Sequence, residues 1–412
     1  MRPITMIVIG AGGRGQAYAS YARAHPDRAR VVGVAEPRNY WRDLIVSKHK
    51  VPPANTFTTW RDAAARDRFG DAVLICTQDA MHAEPAVAFA AKGYHILIEK
   101  PMAPNEADCR RIVAAAKQSG AVFAVCHVMR YTAYSHRMKE LLATGAVGEV
   151  ISIQHLEPVG YWHQAHSFVR GNWRNEAQAS PMLLAKSCHD LDWLRYLMGR
   201  RCTRVSSFGS LCHFRKESKP EGASDRCLDC RAEARCPYSA KRFYLGMVQR
   251  GALYWPVDVL TSDLTVEGVT EALRTGPYGR CVYACDNDVV DNQVVNMEFE
   301  GGRTASFTMT AFTPVAGRMT RVFGTRGYIN GTWDKIELFD FLTEKTQEIE
   351  IGASGGHGGG DEGVMDAFTR AVAEENPSYI LSGPDETLET HLMVFAAERA
   401  RREGRVVDVP RA

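Results

Sequence analysis

Apolar residues in the first 128 positions form short unbroken runs separated by longer amphipathic stretches. The runs cover residues 6–9, 30–35, 72–76, 94–98 and 122–125. Such runs are typical of strands buried on both faces, as in a parallel sheet. The stretches at 84–92 and 106–119 have the spacing of helices. The pattern predicts a first domain, residues 1–128, in which parallel strands alternate with helices.

From residue 150 onward the strand pattern changes to alternation of apolar and polar positions. It covers residues 150–155, 205–211, 292–300 and 303–310. Alternating strands joined by glycine-rich turns indicate an antiparallel sheet with one covered face. Two amphipathic helices, at about 361–375 and 385–403, close the chain. The sequence therefore predicts an α/β protein with a second α/β domain at 129–412, built on a mostly antiparallel sheet.

The first apolar run ends in a glycine motif, Gly10-x-Gly12-x-x-Gly15, and a helix of small residues follows at once. Strand, glycine turn and helix together form the dinucleotide-binding fingerprint of a Rossmann domain. Glu36 closes the second strand about twenty residues after the last glycine, where an acid that binds ribose belongs. The alternative is a glycine-rich hairpin in another fold. The context favours a nucleotide site, and an acid at this position favours NAD over NADP.

Composition excludes several kinds of partner. The 412 residues carry a formal charge of +2, which gives no preference for nucleic acid or membrane surfaces. No apolar run is long enough to span a bilayer and no signal peptide is recognisable, so we expect a cytoplasmic protein. Most of the eleven cysteines, such as Cys76, Cys109 and Cys126, lie singly in predicted elements and are interpreted as buried thiols.

Further motifs carry a resemblance to a known family. They are the glycine motif, Glu36, Glu99-Lys100-Pro101, Arg130-Tyr131 and His189-Asp190-Leu191-Asp192. At these separations the chain resembles the Gfo/Idh/MocA family of nicotinamide-dependent sugar oxidoreductases. The resemblance implies that Lys100 reaches the substrate hydroxyl beside the nicotinamide, and that the Lys-Pro bond is often cis. It also implies that the second domain has a large open sheet, which often joins subunits. A homo-oligomer, dimer or tetramer, is therefore expected.

The predicted cofactor site combines the glycine turn with the ends of the later strands. Carboxyl ends of parallel strands meet at one edge of the sheet, where nucleotides bind. The predicted NAD-binding residues are Gly10, Gly12, Gly13, Arg14, Gly15, Glu36, Arg38, Thr77, Gln78, His82, Glu99 and Lys100.

The predicted catalytic residues are Lys100, His189 and Lys186. A lysine at a strand end beside the cofactor can exchange a proton with an alcohol. In the family an aspartate usually precedes the histidine by four residues, but this chain has Ala185 there. Residues 183–187 are interpreted as a buried strand that runs into a helix. His189 must take its orientation from another acid, or Lys186 supplies the local charge.

Two segments have compositions suited to a polyhydroxylated substrate. Residues 161–174 mix aromatic, histidine and arginine side chains without a helix or strand period, and the arginines would also suit an acidic sugar. Residues 355–361 form a glycine-rich loop around a histidine. A plain surface loop and a plain hinge are the alternatives. The predicted substrate-binding residues are Arg130, Tyr131, Tyr161, His163, His166, Arg170, Trp173, Arg174 and His357.

A cysteine cluster lies in a polar insert at about 212–260, which has few apolar residues for a core. Cys227, Cys230 and Cys236 have ligand-like spacing, with His213 or Cys212 as the fourth donor. We predict a structural zinc ion that braces the insert, with free thiols as the alternative.

Three classes of function fit these features. The first is an NAD-dependent oxidoreductase that transfers a hydride at a hydroxyl-bearing carbon of a sugar. The second is a redox-neutral NAD-dependent glycosidase, in which transient oxidation, elimination, water addition and re-reduction cleave a glycoside, possibly of an acidic sugar. The third is a non-catalytic NAD-binding sugar sensor, against which the presence of Lys100 and His189 argues. The first is our leading hypothesis.

Overall fold

The computed structural model describes residues 2–315, 317–352 and 355–412. Its first sheet is parallel, with the strand order β3-β2-β1-β4-β5-β6. The order reverses direction between β1 and β4, which opens a crevice at their carboxyl ends. The strands are β1 (Ile4–Ile9), β2 (Ala29–Ala35), β3 (Thr56–Phe57), β4 (Ala72–Ile75), β5 (His95–Ile98) and β6 (Phe123–Val125). The predicted parallel strands of the Rossmann domain are confirmed.

Five helices connect these strands. They are α1 (Gly13–Ala24), α2 (Asn39–His49), α3 (Trp60–Ala65), α4 (Ala83–Ala91) and α5 (Glu106–Ser119). Asn105 caps α5 by accepting a hydrogen bond from the Asp108 N–H, and Gly120 ends it in the left-handed conformation.

The second sheet has nine strands in the order β14-β13-β12-β11-β7-β10-β9-β8-β15. Neighbours are antiparallel except β7 and β10, which pair in parallel. The predicted mostly antiparallel sheet is therefore confirmed. Its strands are β7 (Val150–Pro158), β8 (Cys202–Ser210), β9 (Asn292–Phe299), β10 (Arg303–Thr310), β11 (Met319–Gly324), β12 (Gly327–Thr332), β13 (Lys335–Asp340), β14 (Lys345–Glu350) and β15 (Val407–Asp408).

The helices of this half differ from the sequence prediction at two places. Residues 183–185, predicted as strand, are helical, because a short apolar run does not distinguish a buried helix from a buried strand. Part of 161–174 is also helical, with a π-helical turn at Gln164–Arg170. The helices are α6 (Ala133–Ala143), α7 (Tyr161–His163), α8 (Met182–Ala185), α9 (Cys188–Met198), α10 (Gly246–Gln249), α11 (Val266–Thr275), α12 (Gly360–Ala373) and α13 (Pro384–Glu403).

The last two helices connect the two halves of the molecule. Val364, Met365 and Phe368 of α12 are buried in one apolar cluster with Val8 of β1 and Tyr18 of α1. Helix α13 packs against α5, α9 and strand β8. The nucleotide-binding half therefore contains core residues from the end of the chain.

The connection between β8 and β9, residues 211–291, is longer than the predicted insert. Contrary to expectation it has an apolar core of its own, which includes Tyr244, Val257, Val269 and Leu273. These residues are at most 1% exposed. The core was missed because three of its eight buried residues, Val269, Leu273 and Tyr278, lie beyond residue 260. Among the described residues, no helix has both the length and the apolar composition needed to cross a membrane.

Candidate active site

The glycine turn after β1 has the close packing that its motif requires. Gly10 has a φ of 85°, and a methyl group there would lie 2.7 Å from the carbonyl oxygen of Cys76. A methyl group on Gly15 would lie 2.1 Å from the Gly10 carbonyl oxygen. Gly13 has free space around it and carries no such constraint. Because α1 begins at this turn, its free N–H groups face the crevice, which fits a pyrophosphate group.

Glu36 is buried at the end of β2 and holds the same turn. Its carboxylate accepts hydrogen bonds from the Ala11 N–H at 2.8 Å and from Arg38 Nε at 2.7 Å. Burial alone would raise the pKa of Glu36, but the bonds from Arg38 and Ala11 hold it below its usual value. The charged carboxylate fits the hydroxyl groups of an adenosine ribose.

His82 joins two of the strand ends. Its ring nitrogens lie 2.9 Å from the Pro101 carbonyl oxygen and 3.1 Å from that of Thr77, so its contacts are internal. The Lys100-Pro101 bond is cis, as the resemblance implied. Gln78 is exposed, and Thr77 is partly exposed at the same edge.

Arg14 connects the glycine turn to two other segments. Its Nε donates to Glu99 Oε1 at 2.7 Å, and its Nη2 donates to Asp361 Oδ1 at 2.7 Å. Asp361 also lies 3.0 Å from Nδ1 of the exposed His357. Burial would raise the pKa of Glu99, but Arg14 and Lys100 lower it. The chain of contacts holds the glycine-rich segment at 355–361 beside the Glu-Lys-Pro triplet.

Lys100 extends from the end of β5 to α8. Its ammonium group donates a hydrogen bond of 2.6 Å to the carbonyl oxygen of Ala185. Ala185 occupies the position where the family usually has an aspartate, so a neutral carbonyl takes the place of a carboxylate. The positive charge of Lys100 is thus not compensated by this partner.

Three histidines surround this ammonium group. Burial and the charge of Lys100 lower the pKa of His189 well below its usual value. Burial followed by the charges of Lys186 and Lys100 does the same for the pKa of His163. Burial lowers the pKa of His127 to about 4, although Asp192 opposes the shift. All three imidazoles are therefore neutral at pH 7.

His127 is a site residue that the sequence analysis missed. Its ring lies 5.7 Å from that of His189, measured between centroids. Both of its nitrogens are buried without a hydrogen-bond partner among the described residues, and Nε2 lies 3.9 Å from Asp192 Oδ1. Nδ1 of His189 is likewise buried and unpartnered within that part of the chain. The position of His127, two residues after β6 at the carboxyl edge, is the signal that could have indicated it.

Lys186 belongs to a buried network of charges behind the site. Its Nζ lies 3.0 Å from Glu157 Oε1, and Arg318 Nε lies 2.9 Å from Glu157 Oε2. Arg318 also contacts Asp190, which lies 3.0 Å from Nε2 of His155. Burial would raise the pKa of Asp190, but Arg318 and His155 hold it far below its usual value. Lys186 is therefore paired, in contrast to Lys100.

Arg130 and Tyr131 have structural partners. Arg130 is 2% exposed and donates to Asp192 Oδ2 at 2.7 Å, and it also contacts the Leu381 carbonyl. The Tyr131 hydroxyl accepts the Leu381 N–H at 2.9 Å. These contacts fasten the start of α13 to the edge of the parallel sheet, so the predicted substrate contacts of both residues are not supported.

Residues of 161–174 divide between two surroundings. His163 faces Lys186 and Lys100, whereas His166 Nδ1 lies 2.7 Å from the Tyr244 hydroxyl of the insert. Arg170 donates to the Arg280 carbonyl at 2.7 Å, and Arg174 donates to Asp286 at 2.8 Å. Tyr161 and Trp173 are both partly exposed, at 39%. The two arginines therefore bind the insert rather than an acidic sugar.

Neither predicted fourth donor of the zinc site lies with the other three. Cys227, Cys230 and Cys236 line one small cavity, as predicted for a cluster, but His213 and Cys212 do not line it. His213 Nε2 lies 3.1 Å from the Tyr283 hydroxyl, and exposed Cys212 contacts Ser210 and Asn292.

Fold and glycine turn together define the class of the protein, a nucleotide-binding Rossmann domain joined to an α/β domain with a large sheet. The model of the oxidoreductase family with an NAD-binding Rossmann fold matches residues 4–127. The model of the family's C-terminal α/β domain matches residues 139–409. The chain therefore belongs to the Gfo/Idh/MocA oxidoreductase family, and the resemblance found in the sequence is confirmed.

Relatives of known name include sugar enzymes. The chain is 23% identical to the putative oxidoreductase YteT of Bacillus subtilis over 71% of its own length and 70% of that protein. It is 27% identical to the 2,7-anhydro-N-acetylneuraminate hydratase of Escherichia coli, over 50% of its length and 53% of that enzyme. The structure of levoglucosan dehydrogenase with NADH and L-sorbose matches over the full length of both chains, at 18% identity and a TM-score of 0.74. That last likeness shows the fold.

Proposed function

We propose that the protein is an NAD-dependent oxidoreductase that transfers a hydride at a hydroxyl-bearing carbon of a sugar or sugar derivative. The observation that carries the proposal is the arrangement around Lys100. Its ammonium group lies at the carboxyl edge of the parallel sheet, bonded to a neutral carbonyl and flanked by the neutral imidazole of His189. A non-catalytic sensor has no need of such an acid and base.

The proposed roles of Lys100, His189 and Lys186 follow from the charges of their side chains. When bound, NAD takes or returns a hydride at its nicotinamide ring. In the direction of oxidation, the Lys100 ammonium group donates a hydrogen bond to the reacting hydroxyl oxygen and stabilises the negative charge that develops there as the proton leaves. Neutral His189 serves as its partner and can accept that proton. Lys186, held by Glu157, contributes positive charge and no free proton acceptor.

NAD is preferred to NADP because of Glu36. A carboxylate binds ribose hydroxyls and repels a 2′-phosphate. Arg38, already bonded to this carboxylate by its backbone and side chain, is not free to bind the phosphate in its place.

A redox-neutral reaction is the second candidate, and a separate observation favours it. His163 places a second neutral imidazole near Lys100 and Lys186. Transient oxidation acidifies the adjacent C–H, so elimination and water addition need a further base of this kind. The likeness to a hydratase that acts on an anhydro sugar supports the same reading.

The amount of NADH formed per molecule of product distinguishes the two candidate reactions. The purified protein is incubated with free sugars and with nitrophenyl or anhydro glycosides, at NAD concentrations below that of the substrate. One NADH per product from a free sugar supports our first choice and excludes the glycosidase. Many turnovers without net NADH would overturn it in favour of the redox-neutral reaction.

We also propose that the protein forms a homo-oligomer. Helices cover one face of the large sheet, and exposed apolar side chains lie on its strands, including Ile151, Phe208, Val294, Met319 and Phe323. A sheet face of this composition is suited to a second copy of the chain. Sedimentation at micromolar concentration tests the state, and a monomer there would contradict it.

A further inference from the structure

A cavity inside the insert is lined by four cysteine side chains. Three of them are Cys227, Cys230 and Cys236, and the fourth is Cys281, which lies 45 residues further along the chain. The cavity has a volume of ≈ 10 Å³. That is the space open to the centre of a water-sized sphere, which is enough to hold a single ion.

Backbone pairing brings Cys281 to this place. The Cys227 N–H donates to the Gly279 carbonyl at 2.9 Å, and the Cys281 N–H donates to the Asp225 carbonyl at 2.8 Å. These bonds flank an antiparallel bridge between Arg226 and Arg280. Residues on either side of such a bridge point to the same face. Cys227 and Cys281 therefore lie on one face of a short ribbon.

Three successive turns wrap the other cysteines around the same face. The Cys230 N–H donates to Cys227 O at 3.4 Å, Glu233 N–H to Cys230 O at 3.3 Å, and Cys236 N–H to Glu233 O at 3.0 Å. A loop of this kind keeps Cys-x2-Cys and the later cysteine close to one another, as in zinc sites.

Two arginines and one glutamate, Glu233, line the cavity beside the cysteines, so positive charge is in excess. Arg170 Nη2 donates to Cys227 Sγ at 3.5 Å, and Arg170 and Arg226 both line the cavity. Nε of Arg226 and Nη2 of Arg280 are buried without a partner among the described residues. Four thiolates around a divalent ion carry a net charge of −2. These arginines supply the opposite charge.

We propose that Cys227, Cys230, Cys236 and Cys281 bind one zinc ion in a closed tetrahedral site. Binding releases the four thiol protons and forms four Zn–S bonds of about 2.3 Å. Such bonds need sulfur atoms about 3.8 Å apart. Within the described ranges no three His, Cys, Asp or Glu side chains already have a metal-binding arrangement, so the thiols must rotate into the cavity.

The role of this ion is structural. Four protein ligands leave no open position for a substrate or water. The site joins the beginning of the insert to its end. Tyr238, whose carbonyl accepts a hydrogen bond of 2.8 Å from Arg170, lies two residues after the third cysteine. The ion thereby braces the wall of the insert against the segment that carries His163.

The test is the metal content of the full-length protein. We expect about one zinc per chain by elemental analysis, and Co²⁺ in its place should give the strong visible bands and near-ultraviolet thiolate absorption of a tetrahedral four-sulfur site. Cys281→Ser should lose the four-sulfur spectrum and at least tenfold in metal affinity. Cys285→Ser, four residues away and not lining the cavity, should lose neither.

His213→Ala separates the two donor sets. It should retain both zinc and spectrum, because His213 contacts Tyr283 instead. Loss of metal in His213→Ala but not in Cys281→Ser would overturn the assignment. Iron with inorganic sulfide, or native protein without metal that gives no thiolate spectrum with Co²⁺, would overturn the zinc site itself. Because the Co²⁺ titration uses the native chain, misfolding of a variant cannot hide that result.

Discussion

The edge of the parallel sheet and the insert between β8 and β9 collect their polar residues in different ways. At the edge, Glu36, Lys100 and His127 come from strands that lie far apart in sequence, and the common direction of the strands brings them together. In the insert, turns and one short bridge gather side chains around a small core. The comparison teaches that regular sheet structure positions the chemistry, whereas the insert depends on its own local contacts.

The largest expected effect tests the chemistry of the sheet edge. Lys100→Met should reduce turnover by about 10²–10⁴-fold, the usual contribution of general acid–base catalysis. NAD affinity should change little, because Glu36 and the glycine turn are untouched. Steady-state kinetics and NAD titration measure the two effects. Lys92→Met, on an exposed lysine of the same domain, is the matched control, and unchanged turnover in Lys100→Met would refute the role.

The next effect should remain confined to the insert. Leu273 is fully buried on α11, so Leu273→Ala should destabilise the insert by about 2–5 kcal/mol. Hydrogen exchange should increase across residues 211–291 while NAD affinity is retained. Glu271→Ala, exposed on the same helix, is the control. If exchange increased equally in the parallel sheet, the independence of the insert would be contradicted.

The third prediction concerns Glu36 at the end of β2 and the preference for NAD over NADP. Glu36→Ala should weaken NAD binding by about 10–100-fold, the value of hydrogen bonds to a charged group. NADP binding should improve, because Arg38 is released from the carboxylate. Titration of both nucleotides measures the ratio, and Arg38→Ala in the same background should remove the gain. Equal affinities in the native protein would count against the assignment of Glu36.

The smallest effect concerns pH. His127 has a folded-state pKa of about 4 against 6.5 for a free histidine, so the unfolded state binds more protons between these values. The stability that comes from keeping His127 buried and neutral is fully present above pH 6.5 and is lost as the pH falls toward 4. The native protein should therefore lose unfolding free energy as the pH falls from 7 to 5. In His127→Leu this loss should be smaller by about 2 kcal/mol. Urea denaturation at both pH values measures it, and an unchanged pH dependence would contradict the buried neutral state.

The features that could be predicted from the sequence lie mainly at the edge of the parallel sheet and not in the insert. The glycine turn, Glu36 and the Glu-Lys-Pro triplet could be placed from sequence, because each stands at a strand end and strand ends share one edge. His127 follows the same rule and was missed only because no motif contained it.

Other features depend on contacts between distant residues, which leave no periodic pattern in the sequence. Arg130, Arg170 and Arg174 have the composition of an anion site, yet each has internal partners that lie 62 to 112 residues away. Cys281 could not be assigned to the cluster from its spacing, because a bridge between distant loops positions it. Residues 183–185 are helical and not the predicted strand, because so short an apolar run has no detectable period.

The position of α12 in the core of the nucleotide-binding half has a consequence for synthesis on the ribosome. Val364, Met365 and Phe368 complete a core that begins with β1, so the emerging first half keeps an apolar surface exposed. At roughly 5–20 residues per second, this gap lasts on the order of ten seconds to a minute. The domain therefore cannot be exchanged between proteins as a continuous cassette, and the nascent chain has a reason to engage chaperones before its last helices emerge.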